Sequence, residues 1–160
     1  MEIRPAKQED VKEILSILNA ASLALLDKGI NQWTFPWDTQ GLVEQLEFLH
    51  VGTVSGNVIA TFGIKDLNDW HVGKSGKYLY QIAIHPELQG KGYGSEITSW
   101  ACQYARRLGE ELYLDCWAGN KKLKDFYSGN GFEYVGDFPE EDYHISVFKC
   151  RQEGQYGSYF

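Results

Sequence analysis

Cysteine is scarce in this chain, with three among 160 residues. An odd number at wide spacing does not indicate a disulfide framework, so we expect free, buried thiols in a reducing compartment at Cys102, Cys116 and Cys150. The three cysteines and four histidines also lack the spacing of metal ligands. We therefore expect neither disulfide staples nor a metal site.

Positive charge is also in short supply. Lys and Arg number 15 against 22 Asp and Glu, which gives a net charge of −7. An acidic chain repels phosphate backbones and anionic lipid, so we expect no nucleic-acid or membrane partner and a bias towards cationic small molecules. The stretch most like a signal sequence, residues 14–26, is too short to span a bilayer and follows acidic rather than basic residues. We therefore place the protein in the cytoplasm.

The length leaves room for one domain, since a domain typically has about 150 residues. A hydrophobic fraction of 43% excludes disorder of the whole chain. We expect a domain over residues 1–150 and a polar tail over residues 151–160.

Hydrophobic periodicity predicts strands and helices in the order β, α, α, β, β, β, α, β, α, β, β. This order indicates a mixed α/β or α+β fold. A polar segment, residues 65–77, is predicted to be a loop. The predicted helices are one ending near Lys28 and others near residues 39–48, 92–108 and 120–128; the predicted strands are near residues 2–5, 50–54, 58–64, 78–84, 112–117, 132–135 and 143–149.

A glycine-rich loop separates a buried strand from the long helix. Gly90, Gly92 and Gly94 allow close approach of the backbone to a ligand, and the helix start attracts a phosphate or pyrophosphate. Lys91 is followed by glycine instead of Ser or Thr, which disfavours an ATP-binding P-loop. Ser95 stands where a dinucleotide fingerprint has its third glycine, which disfavours a Rossmann site. We predict an anion-binding loop, with a purely structural turn as the alternative.

The loop belongs to a longer run, IAIHPELQGKGYG, at residues 82–94. The run resembles the acetyl-CoA motif of the GNAT N-acetyltransferase superfamily, in which a strand and a proline precede Gln or Arg, two arbitrary residues, Gly, one arbitrary residue, and Gly or Ala. Gln89, Gly92 and Gly94 fill those positions. Residues 120–132 resemble the family's final helix and the strand after it. The resemblance implies one domain with a central, mostly antiparallel, twisted sheet of about seven strands, splayed between the fourth and fifth strands and flanked by about four helices.

The resemblance also implies acetyl-CoA as cofactor. Backbone N–H groups of the loop would bind the pyrophosphate, and the preceding strand edge would bind the pantetheine and stabilise charge on the acetyl oxygen. The implied cofactor-binding residues are Ile82, Ala83, Ile84, Gln89, Gly90, Lys91, Gly92, Tyr93, Gly94, Ser95, Asn120 and Tyr127.

Two catalytic residues follow from the same resemblance. Asn120 and Tyr127 are seven residues apart and share one face of a helix, and the resemblance assigns Tyr127 as the general acid for the CoA thiolate. Asp115 lies near the position where the branch that acetylates ribosomal-protein N-termini has its proton-accepting Glu, but its side chain is one methylene shorter. The alternatives are a packed aromatic for Tyr127 and a structural carboxylate for Asp115. Glu87, Asp69 and His71 are fallback bases.

The acceptor pocket is predicted to use the aromatic residues of the variable segments. Aromatic rings near Asp38 and Asp69 favour a cationic amine, although the same rings can simply anchor a long loop. The candidates are Trp33, Phe35, Trp37, Trp70 and His71. A polyamine, an aminoglycoside, an amino-acid derivative and a peptide N-terminus all remain open.

We predict an acyltransferase that moves an acetyl group from acetyl-CoA to a primary amine by direct attack in a ternary complex. A covalent acetyl-enzyme is not expected, because no motif places a histidine beside Cys116. The alternatives are a CoA-binding sensor or interaction module without transferase activity, and a dinucleotide-binding protein. A homodimer also stays open, with the last hairpin and the aromatic tail as candidate contacts.

Overall fold

The computed structural model describes residues 1–30, 35–68, 70–71 and 75–151. Its strands are β1 (Glu2–Pro5), β2 (Leu49–Val54), β3 (Asn57–Leu67), β4 (Gly76–Ile84), β5 (Leu112–Trp117), β6 (Phe132–Glu140) and β7 (Tyr143–Cys150). Its α-helices in the described residues are α1 (Val11–Asp27), α2 (Thr39–Glu44), α3 (Tyr93–Arg107) and α4 (Lys121–Gly129).

The seven strands form one sheet in the order β1-β2-β3-β4-β5-β7-β6. Neighbouring strands are antiparallel in the pairs β1 with β2, β2 with β3, β5 with β7, and β6 with β7. The pair β4 and β5 is parallel, with Lys77 opposite Leu112 and Tyr78 opposite Tyr113. This confirms the predicted mixed fold with seven strands and four helices.

The first of two compact units consists, within the described residues, of residues 1–30, 35–65 and 79–97. Helix α1 buries an apolar stripe at helical spacing that includes Val11, Ile14 and Leu18. Asp10 immediately precedes the helix, and its carboxylate accepts hydrogen bonds of 2.7 and 3.0 Å from Arg4. The core of this unit contains Ile14, Ile17, Leu18, Ala21, Leu42, Leu49, Val51 and Ala83.

Within the described residues, the second unit comprises residues 66–68, 70–71, 75–78 and 98–151. Side chains alternate between the two faces of its strands, and directly paired residues share a face. One face, called here the Asp115 face, carries Tyr113, Asp115, Ile145, Val147 and Phe138. The opposite face, called the Tyr127 face, carries Leu114, Cys116, Phe132 and Phe148, against which Tyr127 of α4 packs.

Three predicted boundaries are wrong. The predicted loop over residues 65–77 is shorter, because β3 continues to Leu67 and β4 begins at Gly76. Helix α2 ends at Glu44, and a 3-10 turn covers Leu46–Phe48. The sixth strand extends five residues beyond its predicted end, to Glu140, because Pro139 is tolerated on an edge strand.

The prediction of three free cysteines is also wrong. Cys102 of α3 and Cys150 of β7 form a disulfide, with their Cα atoms 6.0 Å apart, and only Cys116 is a free, buried thiol. The bonded residues are 48 apart in sequence and meet through packing, which their spacing does not reveal. The cytoplasmic location therefore stays a prediction without support from the cysteines. Among the described residues, no helix combines the length and apolarity that a membrane crossing requires.

Candidate active site

The glycine-rich loop begins after a 3-10 turn at Pro86–Leu88 and leads into α3. Gly90 and Gly92 have φ angles of 79° and 88°, a left-handed conformation that glycine adopts without steric cost. The first hydrogen bond of α3 runs from the N–H of Glu96 to the carbonyl of Gly92, at 3.2 Å. The positive end of the helix dipole therefore lies at an exposed, glycine-lined turn, an arrangement that binds anions.

Strand β4 has an irregularity just before this turn. Gln81 has a φ of 52°, in the left-handed region that non-glycine residues rarely adopt. The residues that follow are half-buried Ile82, buried Ala83 and half-buried Ile84. Strained residues of this kind concentrate at functional sites, and nothing in the local sequence pattern indicated this one.

His85 directly follows β4 and is hydrogen-bonded. Its Nδ1 accepts from the N–H of Glu87 at 3.3 Å and caps the 3-10 turn. Gln89 donates from Nε2 to the carbonyl of Ile84 at 3.4 Å, which ties the loop back to the strand.

Tyr127 is buried in α4 among aromatic rings. Its ring centroid lies 5.9 Å from that of Phe132 and 5.7 Å from that of Phe148. Burial, followed by the charges of Cys116 and Asp115, holds the pKa of Tyr127 well above its ordinary value. The hydroxyl therefore keeps its proton throughout the neutral range, so that it is present in the donor form.

Asn120 caps the N-terminus of α4. Its Oδ1 accepts from the N–H of Leu123 at 3.1 Å, which satisfies one of the helix's first amide groups. Capping is thus a structural role for a residue that the sequence predicted to bind cofactor, and it occupies the side-chain oxygen of the amide.

Substitution of Asn120 is expected to affect stability according to capping ability. Asn120→Ala removes the cap and should lower the free energy of unfolding by about 1 kcal/mol. Asn120→Asp keeps the accepting oxygen and places negative charge at the positive end of the helix, so it should retain most of that stability. Urea unfolding followed by circular dichroism measures both. Equal losses in the two variants would contradict the capping role.

Asp115 lies on β5, and Tyr78 donates a hydrogen bond to its Oδ1 at 2.8 Å. Burial raises the pKa of Asp115, and the hydrogen bond from Tyr78 acts in the opposite direction. The charge of Glu140 raises this pKa further, whereas that of His71 lowers it. A carboxylate with increased proton affinity in a partly buried place is suited to accept a proton.

His71 and Glu140 lie near Asp115. Nε2 of His71 is 2.9 Å from Oε1 of Glu140, and the His71 ring stacks on Phe138 at 5.2 Å. Trp70 contacts both the His71 ring and the Tyr78 ring, at 5.4 and 5.3 Å. The structure thus brings the predicted residues Trp70 and His71 together with Asp115.

Sequence reasoning missed two members of this group. Tyr78 was assigned only to a buried strand, and its contact with Asp115 depends on the parallel pairing of β4 with β5. Glu140 was placed outside the strand because β6 was predicted to end early. Period-two alternation continued from Phe132 would have placed Glu140 on the Tyr127 face, because it omits the register shift between Tyr134 and Gly136.

The side chains of Asp115 and Tyr127 lie on opposite faces of β5. Asp115 pairs with Val147 on one face, whereas Tyr127 packs against Phe148 on the other. Cys116 follows Asp115 on β5, and burial raises the pKa of its thiol to about 12. A thiol protonated at neutral pH is a poor nucleophile, which agrees with the expectation of no acetyl-enzyme.

The aromatic residues of the first unit divide between packing and exposure. Trp37 is an anchor, because its backbone N–H donates to Asn19 and its Nε1 donates to Ser22, each at 2.8 Å. Phe35 is 39% exposed. Trp33 and the fallback base Asp69 lie outside the described residues.

Within the described residues, no group of three or more His, Cys, Asp or Glu is placed to hold a metal ion.

Residues 13–132 match the model of the Acetyltransferase (GNAT) family. The chain belongs to this family. The match covers both stretches on which the sequence resemblance rests, and it confirms the predicted class of acetyltransferase.

Curated relatives and solved structures extend this result. The chain is 26% identical over 147 residues to the uncharacterized N-acetyltransferase YesJ of Bacillus subtilis, covering 82% of this chain and 81% of that protein. It is 31% identical over 99 residues to a tRNA(Met) cytidine acetyltransferase of Saccharolobus solfataricus, covering 55% of this chain but only 13% of that protein.

The fold is similar to that of solved acetyltransferases. A GNAT-family structure from Streptococcus agalactiae has a TM-score of 0.78 at 17% identity, with 95% of each chain covered. YncA of Salmonella typhimurium, solved with its cofactor acetyl-CoA, has a TM-score of 0.73 at 20% identity, with 94% of this chain and 93% of that chain covered. At these identities the similarity establishes the fold.

Proposed function

We propose that this protein is an acetyl-CoA-dependent N-acetyltransferase that transfers the acetyl group directly to a primary amine in a ternary complex. The observation that carries the proposal is the exposed, left-handed turn at Gly90 and Gly92 at the N-terminal end of α3, which suits the pyrophosphate of CoA. In direct transfer the amine loses a proton while the leaving thiolate gains one. A carboxylate with raised proton affinity and a buried, protonated phenol supply these two functions.

The turn that precedes α3, together with the first residues of the helix, is suited to bind the anionic pyrophosphate of CoA. The left-handed turn at Gly90 and Gly92 and the positive end of α3 suit a pyrophosphate, and Lys91 adds a local positive charge within an acidic chain. Residues 82–84 would bind the pantetheine through the strand edge, and Asn120 would contribute its amide N–H₂ group. YncA, similar to this chain in fold, binds acetyl-CoA.

Each reacting proton has an assigned residue in this proposal. When bound, acetyl-CoA supplies the acetyl thioester. Asp115 takes one proton from the ammonium nitrogen, which frees the lone pair that bonds to the acetyl carbon, and later releases that proton to solvent; the second proton that nitrogen loses as the amide forms balances the one that the leaving sulfur gains. A backbone N–H of β4 stabilises negative charge on the acetyl oxygen, and Tyr127 gives its hydroxyl proton to the sulfur as the carbon–sulfur bond breaks.

The acceptor is proposed to be a primary amine on a small molecule or peptide, bound near Asp115 by Trp70 and His71. The aromatic rings there and the charge of −7 favour a cationic amine. Trp33, Phe35 and Trp37 remain proposed contributors, although Trp37 already anchors its own segment. The Saccharolobus relative is named for a tRNA acceptor, so RNA belongs among the acceptors tested. We also propose a cytoplasmic location.

A thiol-release screen with acetyl-CoA tests the function. The acceptors are polyamines, aminoglycosides, amino-acid derivatives, peptides with free N-termini and tRNA. We expect amine-dependent release of CoA thiol with at least one of the small amines or peptides, and mass spectrometry should find one added acetyl group on that acceptor. Release with tRNA alone would contradict the proposed acceptor class.

Calorimetry with acetyl-CoA distinguishes the alternatives. Binding without thiol release from any acceptor would favour a CoA-binding sensor or interaction module. Thermal stabilisation by NAD or FAD and none by CoA would favour a dinucleotide-binding protein. Either result would refute the transferase proposal.

A further inference from the structure

Tyr78 is the residue in direct contact with the proposed proton acceptor. It stands opposite Tyr113 in the parallel pairing of β4 with β5, and Asp115 follows two residues later on the same face of β5. The Tyr78 hydroxyl donates to Oδ1 of Asp115 at 2.8 Å. Trp70 packs against the Tyr78 ring, with 5.3 Å between ring centroids. Packing on the ring thus holds the hydroxyl against one particular carboxylate oxygen.

The direction of this hydrogen bond is fixed. Burial and the neighbouring charge of Asp115 raise the pKa of Tyr78 far above its ordinary value, so the phenol remains the donor under working conditions. Donation to a carboxylate favours its ionised form. Tyr78 therefore opposes the effect of burial, which raises the pKa of Asp115 and favours the protonated form that cannot accept a proton.

We propose that Tyr78 is a positioning residue whose hydroxyl holds Oδ1 of Asp115, so that Oδ2 takes the proton from the acceptor amine. The proposal rests on the proposed function of Asp115. The proton leaves the amine nitrogen and bonds to Oδ2, while Tyr78 keeps its own proton throughout. Because one fixed hydrogen bond restricts rotation of the carboxylate, the accepting oxygen keeps one orientation from turnover to turnover.

Other titratable groups also act on Asp115. Negative charge on Glu140 raises the pKa of Asp115 and positive charge on His71 lowers it. The charge of Asp115 in turn raises the pKa values of Tyr127 and Cys116. A test of Tyr78 must therefore leave these four groups unchanged, and Tyr78→Phe does so because it removes only the hydroxyl.

The direct test is a carbon-13 NMR titration of the Asp115 carboxyl carbon in the full-length protein without ligand. Asp115→Asn identifies the resonance by its disappearance. Tyr78→Phe should move the titration midpoint of Asp115 to higher pH, by on the order of one pH unit, because a hydrogen bond to the ionised form is lost. An unchanged midpoint would overturn the proposal.

Two further variants test whether the shift of the Asp115 midpoint is specific to the Tyr78 hydroxyl. Tyr113→Phe removes a hydroxyl from the residue paired with Tyr78 and should leave the Asp115 midpoint in place. Glu140→Gln removes a negative charge and should move the midpoint to lower pH. If Tyr113→Phe shifts the midpoint as much as Tyr78→Phe does, the effect is a general response of the sheet and the proposal fails.

The wild-type protein gives an independent measurement should Tyr78→Phe fold poorly. The ring carbon that bears the Tyr78 hydroxyl should titrate with the same midpoint as the Asp115 carboxyl carbon, since the two groups share one hydrogen bond. Separate midpoints would contradict the contact on which the proposal depends.

Kinetics separate this proposal from the proposed function. With an acceptor from the thiol-release screen, Tyr78→Phe should shift the acid limb of the kcat against pH profile to higher pH, by the same amount as the NMR midpoint. It should also lower kcat several-fold, with little change in KM for acetyl-CoA. If Asp115→Asn abolishes turnover while Tyr78→Phe leaves the limb unmoved, only the positioning role is wrong. If Asp115→Asn retains the full rate, the proposed base itself is wrong.

Discussion

Asp115→Asn is expected to lower kcat by about 10²- to 10³-fold, the usual contribution of a general base. An alkylammonium with a pKa of about 10 is almost entirely protonated at neutral pH and has no lone pair for attack. Without a carboxylate to take its proton, only the small fraction of free amine reacts. Thiol release over a range of pH measures the loss, and the residual rate of the variant should rise about tenfold per pH unit as free amine increases.

Stability should not fall together with this activity. Burial raises the pKa of Asp115 in the folded protein above that of the unfolded chain, so ionisation of this group at neutral pH works against folding. The contribution of the protonated Asp115 carboxyl to stability is present at low pH and is lost as the pH rises through the raised pKa. An uncharged Asn lacks this penalty, so the variant should unfold at a Tm at least equal to that of the wild type at pH 7.

Asp137→Asn is the matched control. Asp137 also accepts a hydroxyl hydrogen bond, from Ser146 at 2.6 Å, and here the hydrogen bond outweighs burial, so that the pKa of Asp137 is lowered. Its ionised form is therefore favoured by folding, and the Asn variant should lose some stability at neutral pH while retaining kcat. If Asp115→Asn keeps kcat and the pH profile of the wild type, the amine proton goes elsewhere, and His71 becomes the leading candidate.

The elements that sequence predicted well are those with a strong internal pattern. Strand β5 has its predicted bounds because its apolar residues, interrupted by Asp115 alone, are flanked by polar turns. Helix α3 differs by one residue at each end because its apolar stripe is regular. The glycines after β4 were informative since their number and spacing have few structural explanations.

The elements predicted poorly depend on contacts between distant residues. Asp66 and Lys77 extend β3 and β4 into a segment that composition assigned to a loop, and the two side chains form an ion pair across it. The extension of β6 to Glu140 depends on pairing with β7 beyond Pro139, which propensity alone does not favour. Polar residues on exposed strand positions hide such extensions from a hydrophobicity pattern.

The candidate site was predicted as isolated residues and not as an arrangement. Motif spacing selected Asp115 and Tyr127, but not their separation onto opposite faces of β5, which follows from the register of β5 with β7. Tyr78 and Glu140 belong to no motif. Both are recognised only when the sheet brings them to Asp115, so long-range pairing limits what the sequence reveals about this chemistry.

Tyr127→Phe is expected to lower kcat by about 10- to 100-fold with little change in binding of acetyl-CoA. The loss should be smaller than that of Asp115→Asn, because a thiolate whose conjugate acid has a pKa of about 8.5 can leave without prior protonation. The phenol has a still higher pKa, so it transfers its proton only as negative charge develops on sulfur in the buried site. Single-turnover thiol release measures this step apart from product dissociation.

The pH dependence and a control variant separate proton donation from packing. Since the pKa of Tyr127 lies well above the neutral range, the wild type keeps its donor from pH 6 to 9 and the ratio of wild-type to variant kcat should stay constant there. Tyr134→Phe alters another tyrosine that packs on Phe148, but the Tyr134 hydroxyl bonds to Asp137 and should be dispensable for kcat. Because the Phe ring keeps the packing of Tyr127, a kcat equal to that of the wild type at every pH would exclude Tyr127 as the acid, and solvent would then protonate the leaving sulfur.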